Sequence, residues 1–167
     1  MAKIVIGIVG PGEDATDADC RLAHELGRLV ALKGWVLLTG GRPHGVMHAA
    51  SEGAKTGGGL TLGILPSEQP IDVSPAVDIP VLTGLGEARN VVNVLSSQVV
   101  LVCGMSPGTA SEVALALKAR RAVILVDALP STVAFFTAFG GRLSTAPDAA
   151  DAISIVERLL AGHDQNT

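Results

Sequence analysis

The chain alternates short, continuous apolar runs with segments in which apolar residues recur at helical spacing. Because these runs are continuous rather than alternating with polar residues, they predict β-strands that are buried on both faces, as in parallel sheets. The predicted strands are Ile4–Val9, Trp35–Thr39, Leu60–Leu65, a short strand around Val81-Leu82, Val99–Val102 and Ala122–Val126, the last of which is expected to complete the sheet.

Amphipathic segments between these runs predict helices. In the first, Leu22, Leu26, Leu29 and Val30 share one face, and Lys33-Gly34 is typical of a helix end. Pro66–Pro80 carries four prolines and predicts a surface excursion. Strands that alternate with helices predict a doubly wound, Rossmann-like α/β domain over residues 1–162, followed by a tail at 163–167. The further predicted helices are Val46–Ala54, Ala88–Ser97, Thr109–Lys118, Ser131–Phe139 and Asp148–Leu160.

Composition excludes several classes of protein. Of the 167 residues, 48% are hydrophobic but only 2% are aromatic, and the formal net charge is -4. Disordered chains have the opposite composition, and a nucleic-acid binder needs basic and stacking surfaces. The apolar runs are too short to span a bilayer, and the first residues lack the apolar core of a secretory signal. With only two cysteines, we expect a cytoplasmic protein without a disulfide framework.

Glycine-rich turns follow four of the predicted strands. Ligands of open parallel sheets bind at the carboxyl ends of the strands, where glycine permits close approach and helix N-termini offer free N–H groups to anions. A single glycine turn is more often only a tight turn, but four in corresponding positions favour a phosphate-bearing ligand. These turns are Gly10-Pro11-Gly12, Gly40-Gly41, Thr83-Gly84-Leu85-Gly86 and Gly104-Met105-Ser106-Pro107-Gly108-Thr109.

Common nucleotide and metal motifs are missing from these turns. No turn carries the Lys-Ser/Thr pair of a P-loop, and Ala15 stands where a dinucleotide fingerprint has its third glycine. These departures argue against a kinase, a GTPase or a dehydrogenase. His44 and His48 have helical i, i+4 spacing, but without the zincin glutamate they make a weak metal site, and we predict none. Cys103 is interpreted as a small buried apolar residue rather than a nucleophile.

Arg89 and Glu112 are the remaining pair with chemical potential, and two interpretations of them stay open. In the first, Thr109 and Glu112 form a helix capping box and Arg89 forms a surface ion pair. In the second, both side chains project into the strand-end crevice, where Arg89 binds a phosphate or ribose and Glu112 acts as a polar anchor or general acid.

These residues resemble the Lonely Guy-type Rossmann-like proteins, formerly called lysine decarboxylases. That superfamily includes phosphoribohydrolases that release a base from nucleoside 5′-monophosphates, with an Arg-Lys pair and a Pro-Gly-Gly-x-Gly-Thr-x-x-Glu turn. Arg89, Gly108, Thr109 and Glu112 match these motifs, whereas Asn90 replaces the lysine and Gly104-Met105-Ser106 replaces Pro-Gly-Gly. The resemblance implies that Arg89 and Glu112 would be catalytic if the protein were a hydrolase. The bulk of Met105-Ser106, expected where a substrate phosphate would lie, weakens that alternative.

A more extensive resemblance, from about Ile4 to Leu160, is to the molybdenum cofactor carrier proteins of algae and cyanobacteria. It rests on the turns above together with Leu37-Leu38-Thr39-Gly40-Gly41-Arg42, Gly45-Val46-Met47-His48, Asp78-Ile79-Pro80 and Thr109-Ala110-Ser111-Glu112-Val113-Ala114. The resemblance implies a homodimer or homotetramer that binds molybdenum cofactor, a phosphate-bearing pterin, protects it from oxidation and transfers it to molybdoenzymes.

With few aromatic side chains for stacking, we expect affinity from backbone N–H groups and from Arg42 or Arg89. The high apolar content predicts that apolar helix faces are buried between subunits. The cofactor-binding residues expected from the turns and the resemblance together are Gly10, Pro11, Gly12, Gly40, Gly41, Arg42, Gly45, Met47, Thr83, Gly84, Gly86, Arg89, Ser106, Pro107, Gly108, Thr109 and Glu112.

Overall fold

A computed structural model describes residues 2–162 as seven parallel strands and six α-helices, which alternate along the chain except that no helix separates the third and fourth strands. The strands lie in the order β4-β3-β2-β1-β5-β6-β7, so the predicted doubly wound, Rossmann-like α/β fold is confirmed. The tail predicted at residues 163–167 lies outside the described residues. The strands are β1 Val5–Val9, β2 Val36–Thr39, β3 Thr61–Leu65, β4 Ile79–Leu82, β5 Val99–Cys103, β6 Ala122–Val126 and β7 Leu143–Ala146.

The helices follow the predicted segments, with one difference. The predicted helix Ala88–Ser97 is a 3-10 helix, Gly86–Arg89, continued by a short α-helix. No helix among residues 2–162 combines the length and apolar character needed to cross a bilayer. The α-helices are α1 Asp17–Leu32, α2 Gly45–Thr56, α3 Asn90–Leu95, α4 Pro107–Lys118, α5 Pro130–Thr137 and α6 Ala149–Ala161.

The prediction that Ala122–Val126 completes the sheet is wrong. A seventh strand, β7, pairs in parallel with β6 and forms one edge of the sheet. Its sequence, Leu-Ser-Thr-Ala, is short and only half apolar, and three of its four residues are partly or fully exposed. An edge strand with so little burial carries no continuous apolar run, which is why the hydrophobic pattern misses it.

Each face of the sheet is covered by its own set of helices. Helices α1, α2 and α6 pack on one face, around Ile6, Ile8, Leu26 and Val30. Helices α3, α4 and α5 cover the other face, where Phe136 packs with residues of β5 and β6. The central strands β5 and β6 are buried along their entire length, as the continuous apolar runs predict.

The strand order fixes where a ligand can bind. From β1 the chain proceeds outward through β2, β3 and β4, and then returns to the opposite side of β1 with β5. The loops after β1 and β5 therefore diverge at the carboxyl end of the sheet and leave a crevice between them, which is the switch point of a doubly wound sheet.

Candidate functional site at the strand switch point

A cleft of about 170 Å³ opens at this switch point. It lies among the carboxyl end of β1, the turn after β2, the 3-10 helix and the N-terminus of α4. Its walls contain ten of the seventeen residues predicted from the sequence, together with four others. The lining residues are Ile8, Val9, Gly10, Gly12, Gly40, Arg42, Met47, Glu87, Arg89, Asn90, Ser106, Gly108, Thr109 and Glu112.

At two positions in the lining, neighbouring atoms leave no room for any residue larger than glycine. A Cβ atom on Gly10 would overlap the carbonyl oxygen of Cys103, so this glycine lets the ends of β1 and β5 lie together. A Cβ atom on Gly40 would overlap the guanidinium of Arg89 and the sulfur of Met47. By contrast, a Cβ atom on Gly12 or Gly108 would meet only ordinary van der Waals contacts, with Met47 at 3.5 Å and with Ser106 at 3.9 Å, so no close contact requires glycine at these two positions.

Arg89 is a buried cation in the wall of the cleft. Its side chain is 6% exposed, and its Nη1 atom donates a 2.7 Å hydrogen bond to the carbonyl oxygen of Ile64. Its Nε atom is buried without a hydrogen-bond partner, and no carboxylate of residues 2–162 lies within ion-pair distance of the guanidinium. Burial lowers the pKa of Arg89, while the negative charges of Glu112 and Glu87 oppose that effect. An arginine nevertheless stays protonated, so the wall carries a buried positive charge that has no direct ion-pair partner among the described residues.

Glu112 is buried in the same wall, on the first turns of α4. Its Oε1 atom accepts a 2.9 Å hydrogen bond from Nδ2 of Asn93, and the residue is 8% exposed. Burial raises the pKa of Glu112 to about 7, although the Asn93 hydrogen bond and the charge of Arg89 act in the opposite direction. The carboxyl therefore changes its charge near neutral pH, which suits proton transfer or proton-linked binding.

The capping-box interpretation of Thr109 and Glu112 is wrong. The N-cap residue of α4 is Ser106, whose hydroxyl accepts a 3.2 Å hydrogen bond from the Thr109 backbone N–H. Glu112 is bonded to Asn93 and takes no part in the cap, and Arg89 is buried rather than in the surface ion pair of the first interpretation. In the first turn of α4, the Thr109 and Ala110 N–H groups donate to Ser106 and Pro107 has no N–H, so the backbone N–H of Gly108 is the one that remains available to an anion.

Arg42 and Met47 also line the cleft. Arg42 is half-buried and lies 3.9 Å from a carboxylate oxygen of Asp72, at the edge of ion-pair distance. It is therefore a second cation that a ligand in the cleft could contact. Met105, expected to fill the loop near a substrate phosphate, lines a separate pocket, and only its neighbour Ser106 reaches the cleft.

Seven predicted residues lie outside the lining of the cleft, in the turns that support it. Gly45 packs so closely on the carbonyl groups of Pro11 and Gly12 that a Cβ atom would overlap them. The Thr83 hydroxyl donates a 2.7 Å hydrogen bond to the carbonyl oxygen of Leu65 and thereby fixes the loop that leads to Arg89. These seven residues are Pro11, Gly41, Gly45, Thr83, Gly84, Gly86 and Pro107.

Sequence reasoning missed four residues of the lining. Ile8 and Val9 are ordinary strand residues whose backbone reaches the cleft, so no side-chain pattern marks them. Glu87 and Asn90 are close to Arg89 in the sequence, and two polar residues beside that arginine could have been predicted to line the same cleft. Asn90 is 7% exposed and donates a 3.3 Å hydrogen bond to Ser111 on α4, which ties the two helices together.

The histidines and cysteines among residues 2–162 do not cluster as metal ligands. Within residues 2–162, no group of three or more His, Cys, Asp or Glu side chains is arranged to hold a metal ion. His48 is bonded to the Ser74 hydroxyl at 2.8 Å, next to the cleft rather than in its lining. Cys103 is fully buried, and burial raises the pKa of its thiol, so it packs as an apolar residue.

Comparison with known proteins places this geometry in a family. The profile of the SLOG cluster4 family matches residues 3–152. An uncharacterized protein of Archaeoglobus fulgidus is 42% identical over 123 residues, which are 74% of this chain and 80% of that protein.

Two solved structures are similar over nearly the whole chain. The molybdenum cofactor binding protein of the phototrophic bacterium Rippkaea orientalis is 52% identical, with a TM-score of 0.92 over 96% of this chain and 99% of that one. The Moco carrier protein of Chlamydomonas reinhardtii is 50% identical, with a TM-score of 0.91 over the same shares. The resemblance inferred from the turns is thus confirmed. The chain belongs to the SLOG cluster4 family, and molybdenum cofactor carrier proteins are its relatives in both sequence and structure.

Proposed function

We propose that this protein binds molybdenum cofactor at the switch-point cleft, protects it from oxidation and transfers it to molybdoenzymes. The observation that carries the proposal is the buried, unpaired guanidinium of Arg89 in a cleft surrounded by glycine turns. A desolvated cation of this kind is favourable when an anion completes its hydrogen bonds. The similarity to cofactor-binding and carrier proteins supports the phosphate-bearing pterin as this anion.

The donor set of the cleft fits the anionic part of this cofactor. Backbone N–H groups near Gly12 and Gly108 and the guanidinium groups of Arg42 and Arg89 are the donors that a phosphate needs. Since pockets for whole organic ligands measure about 300–1,000 Å³, a cleft of about 170 Å³ holds the phosphate end and leaves the rest of the ligand at its mouth. The cofactor itself supplies redox chemistry to enzymes, whereas this chain binds and orients it.

The proposal predicts that Arg89→Gln weakens binding of molybdenum cofactor by about 100-fold, or about 3 kcal/mol, because the variant loses a desolvated charge-assisted contact. Binding is measured under anaerobic conditions with cofactor released from a molybdoenzyme. The matched control is Arg28→Gln on the surface of α1, where the guanidinium pairs with Glu25 and does not line the cleft. Equal affinity in Arg89→Gln and the control would contradict the proposal.

Protection and transfer are tested in the same experiment. Bound cofactor should oxidise more slowly in air than free cofactor, and it should reconstitute a cofactor-free molybdoenzyme. We also propose a cytoplasmic location and a homo-oligomeric assembly, the latter because large apolar side chains are exposed along residues 79–95.

A second candidate function, hydrolysis of nucleoside 5′-monophosphates, is favoured by one observation. Glu112, whose pKa of about 7 suits general acid–base catalysis, lies in the same cleft as Arg89. We expect no release of free base when the protein is incubated with AMP and related monophosphates and the products are separated by chromatography. Base release that disappears in Glu112→Gln would establish the hydrolase in place of the carrier.

A further inference from the structure

Glu112 holds a carboxyl group where the proposed ligand brings negative charge. It lines the cleft together with Arg89, and it is more than nine-tenths buried. Asn93 fixes its orientation through the 2.9 Å hydrogen bond to Oε1. An ionised carboxylate in this position is an acceptor only, and it would repel a phosphate bound to the neighbouring guanidinium.

The protonation state of Glu112 decides the net charge of the cleft lining. Within the described lining, the other charged groups are Arg42 and Arg89, which are positive, and Glu87, which is negative. Helix α3, which packs against α4, carries no charged residue. With Glu112 ionised, the two positive and two negative charges cancel. With Glu112 neutral, the lining carries a net charge of +1.

We propose that Glu112 takes up a proton from solvent when an anionic ligand enters the cleft, so that binding of the anion and protonation of this carboxyl are coupled. The neutral carboxyl then has an O–H group that donates to an oxygen of the ligand, and the lining gains the positive charge that an anion requires. This inference rests on the proposed function, because it assumes that the cleft binds a phosphate-bearing ligand beside Arg89.

The coupling between anion binding and protonation is strong at neutral pH only if the carboxyl ionises near that pH. The pKa of Glu112, raised by burial to about 7, leaves the carboxyl in both forms at neutral pH. A bound phosphate adds negative charge next to it and raises the pKa further. The ligand therefore binds more tightly as the pH falls through neutrality, and it is released as the pH rises.

Calorimetric titration measures the protons directly. Wild-type protein is titrated anaerobically with molybdenum cofactor at about pH 8, in buffers of low and high ionisation enthalpy. At that pH, about nine-tenths of Glu112 is ionised before binding, and the phosphate of the ligand is already a dianion. The expected result is uptake of most of one proton, with a Kd that rises by about tenfold per pH unit above pH 7.

Glu112→Gln is the decisive variant, because its amide keeps an oxygen to accept from Asn93 and cannot titrate. It should bind with no proton uptake from this site and with a Kd that does not change with pH in this range. Glu157→Gln, at an exposed residue of α6 that pairs with Lys33, should titrate like the wild type. Binding with equal proton uptake in wild type and Glu112→Gln overturns the inference alone. Absence of binding at every pH overturns the proposed function as well.

Discussion

At the scale of single residues, the most unusual feature is the separation of two buried opposite charges. Arg89 and Glu112 line one cleft, yet within the described residues no ion pair joins them. Each is held by a neutral partner instead, Arg89 by the carbonyl oxygen of Ile64 and Glu112 by the amide of Asn93. A direct ion pair between Arg89 and Glu112 would satisfy both charges, and an anion would then gain little by binding to Arg89. Because the two groups are not paired, the guanidinium of Arg89 can still bind an anion.

The raised pKa of Glu112 also predicts how stability depends on pH. A carboxyl whose pKa rises from 4.5 to about 7 on folding binds its proton more tightly in the folded state. Between these two pH values the folded state holds more protons than the unfolded state, so stability falls as the pH rises through this window and levels off above it. The full effect corresponds to about 3 kcal/mol.

Urea denaturation of wild type and Glu112→Gln between about pH 4 and pH 8 tests this. As the pH rises through this window, the free energy of unfolding of Glu112→Gln should increase by about 3 kcal/mol relative to that of the wild type, because the variant has no buried charge to desolvate. A constant difference between the two proteins would show that the Glu112 carboxyl has an ordinary pKa.

Sequence reasoning found Arg89 and Glu112 because each lies near the start of a helix that follows a glycine-rich turn. It missed the role of Asn93, which is 19 residues from Glu112 and meets it only through the packing of α3 on α4. It also left open whether Arg89 was a surface residue, since the burial of that side chain depends on the absence of a Cβ atom at Gly40, in a different turn. Such contacts are long-range, and no local pattern encodes them.

At the scale of elements, the strands were predictable where burial was complete. Strands β1, β2, β3, β5 and β6 coincide with predicted apolar runs to within one residue at each end, because burial on both faces demands a continuous run. The edge strand β7 escaped prediction for the opposite reason. The glycine turns at the carboxyl ends were also predictable, which is why the position of the cleft followed from the sequence and its detailed lining did not.

The packing of α1 on α2 rests on two helical glycines. A Cβ atom on Gly27 would overlap the carbonyl group of Ala50, and one on Gly53 would overlap that of His24. Alanine normally stabilises a helix interior by about 1 kcal/mol relative to glycine. Here we expect Gly27→Ala to destabilise the protein by about 2 kcal/mol, because the two backbones must move apart.

The free energy of unfolding from urea denaturation measures this effect. Gly162→Ala is the matched control, since this residue follows α6 and has no atom within 3.4 Å of the Cβ position. Its stability should stay within about 0.5 kcal/mol of the wild type. If Gly27→Ala proved as stable as the control, the close contact between α1 and α2 would be refuted.

At the scale of the whole molecule, the distribution of apolar surface predicts assembly. On α3, Val91 and Leu95 are 38% and 48% exposed, and their i, i+4 spacing places both on one face of the helix. Leu85, in the turn before, is 51% exposed. Exposed large apolar side chains in one segment are typical of a subunit interface. This segment adjoins the cleft through Arg89 and Asn90, so subunit contact there would also restrain the wall that holds the ligand.

Light scattering on the purified protein should therefore give two or four times the chain mass of 16.9 kDa. The double variant Val91→Glu with Leu95→Glu should lower that mass toward one chain, because two desolvated carboxylates would face the partner. Phe139→Ser, on the exposed surface just after α5, is the matched control and should leave the mass unchanged. If the control variant dissociated and the double variant did not, the subunit interface would lie at α5 rather than at α3. If the wild-type protein had the mass of one chain, α3 would not be a subunit interface. The wall of the cleft would then be held by contacts within a single chain, chiefly the hydrogen bonds of Asn90 to Ser111 and of Arg89 to Ile64.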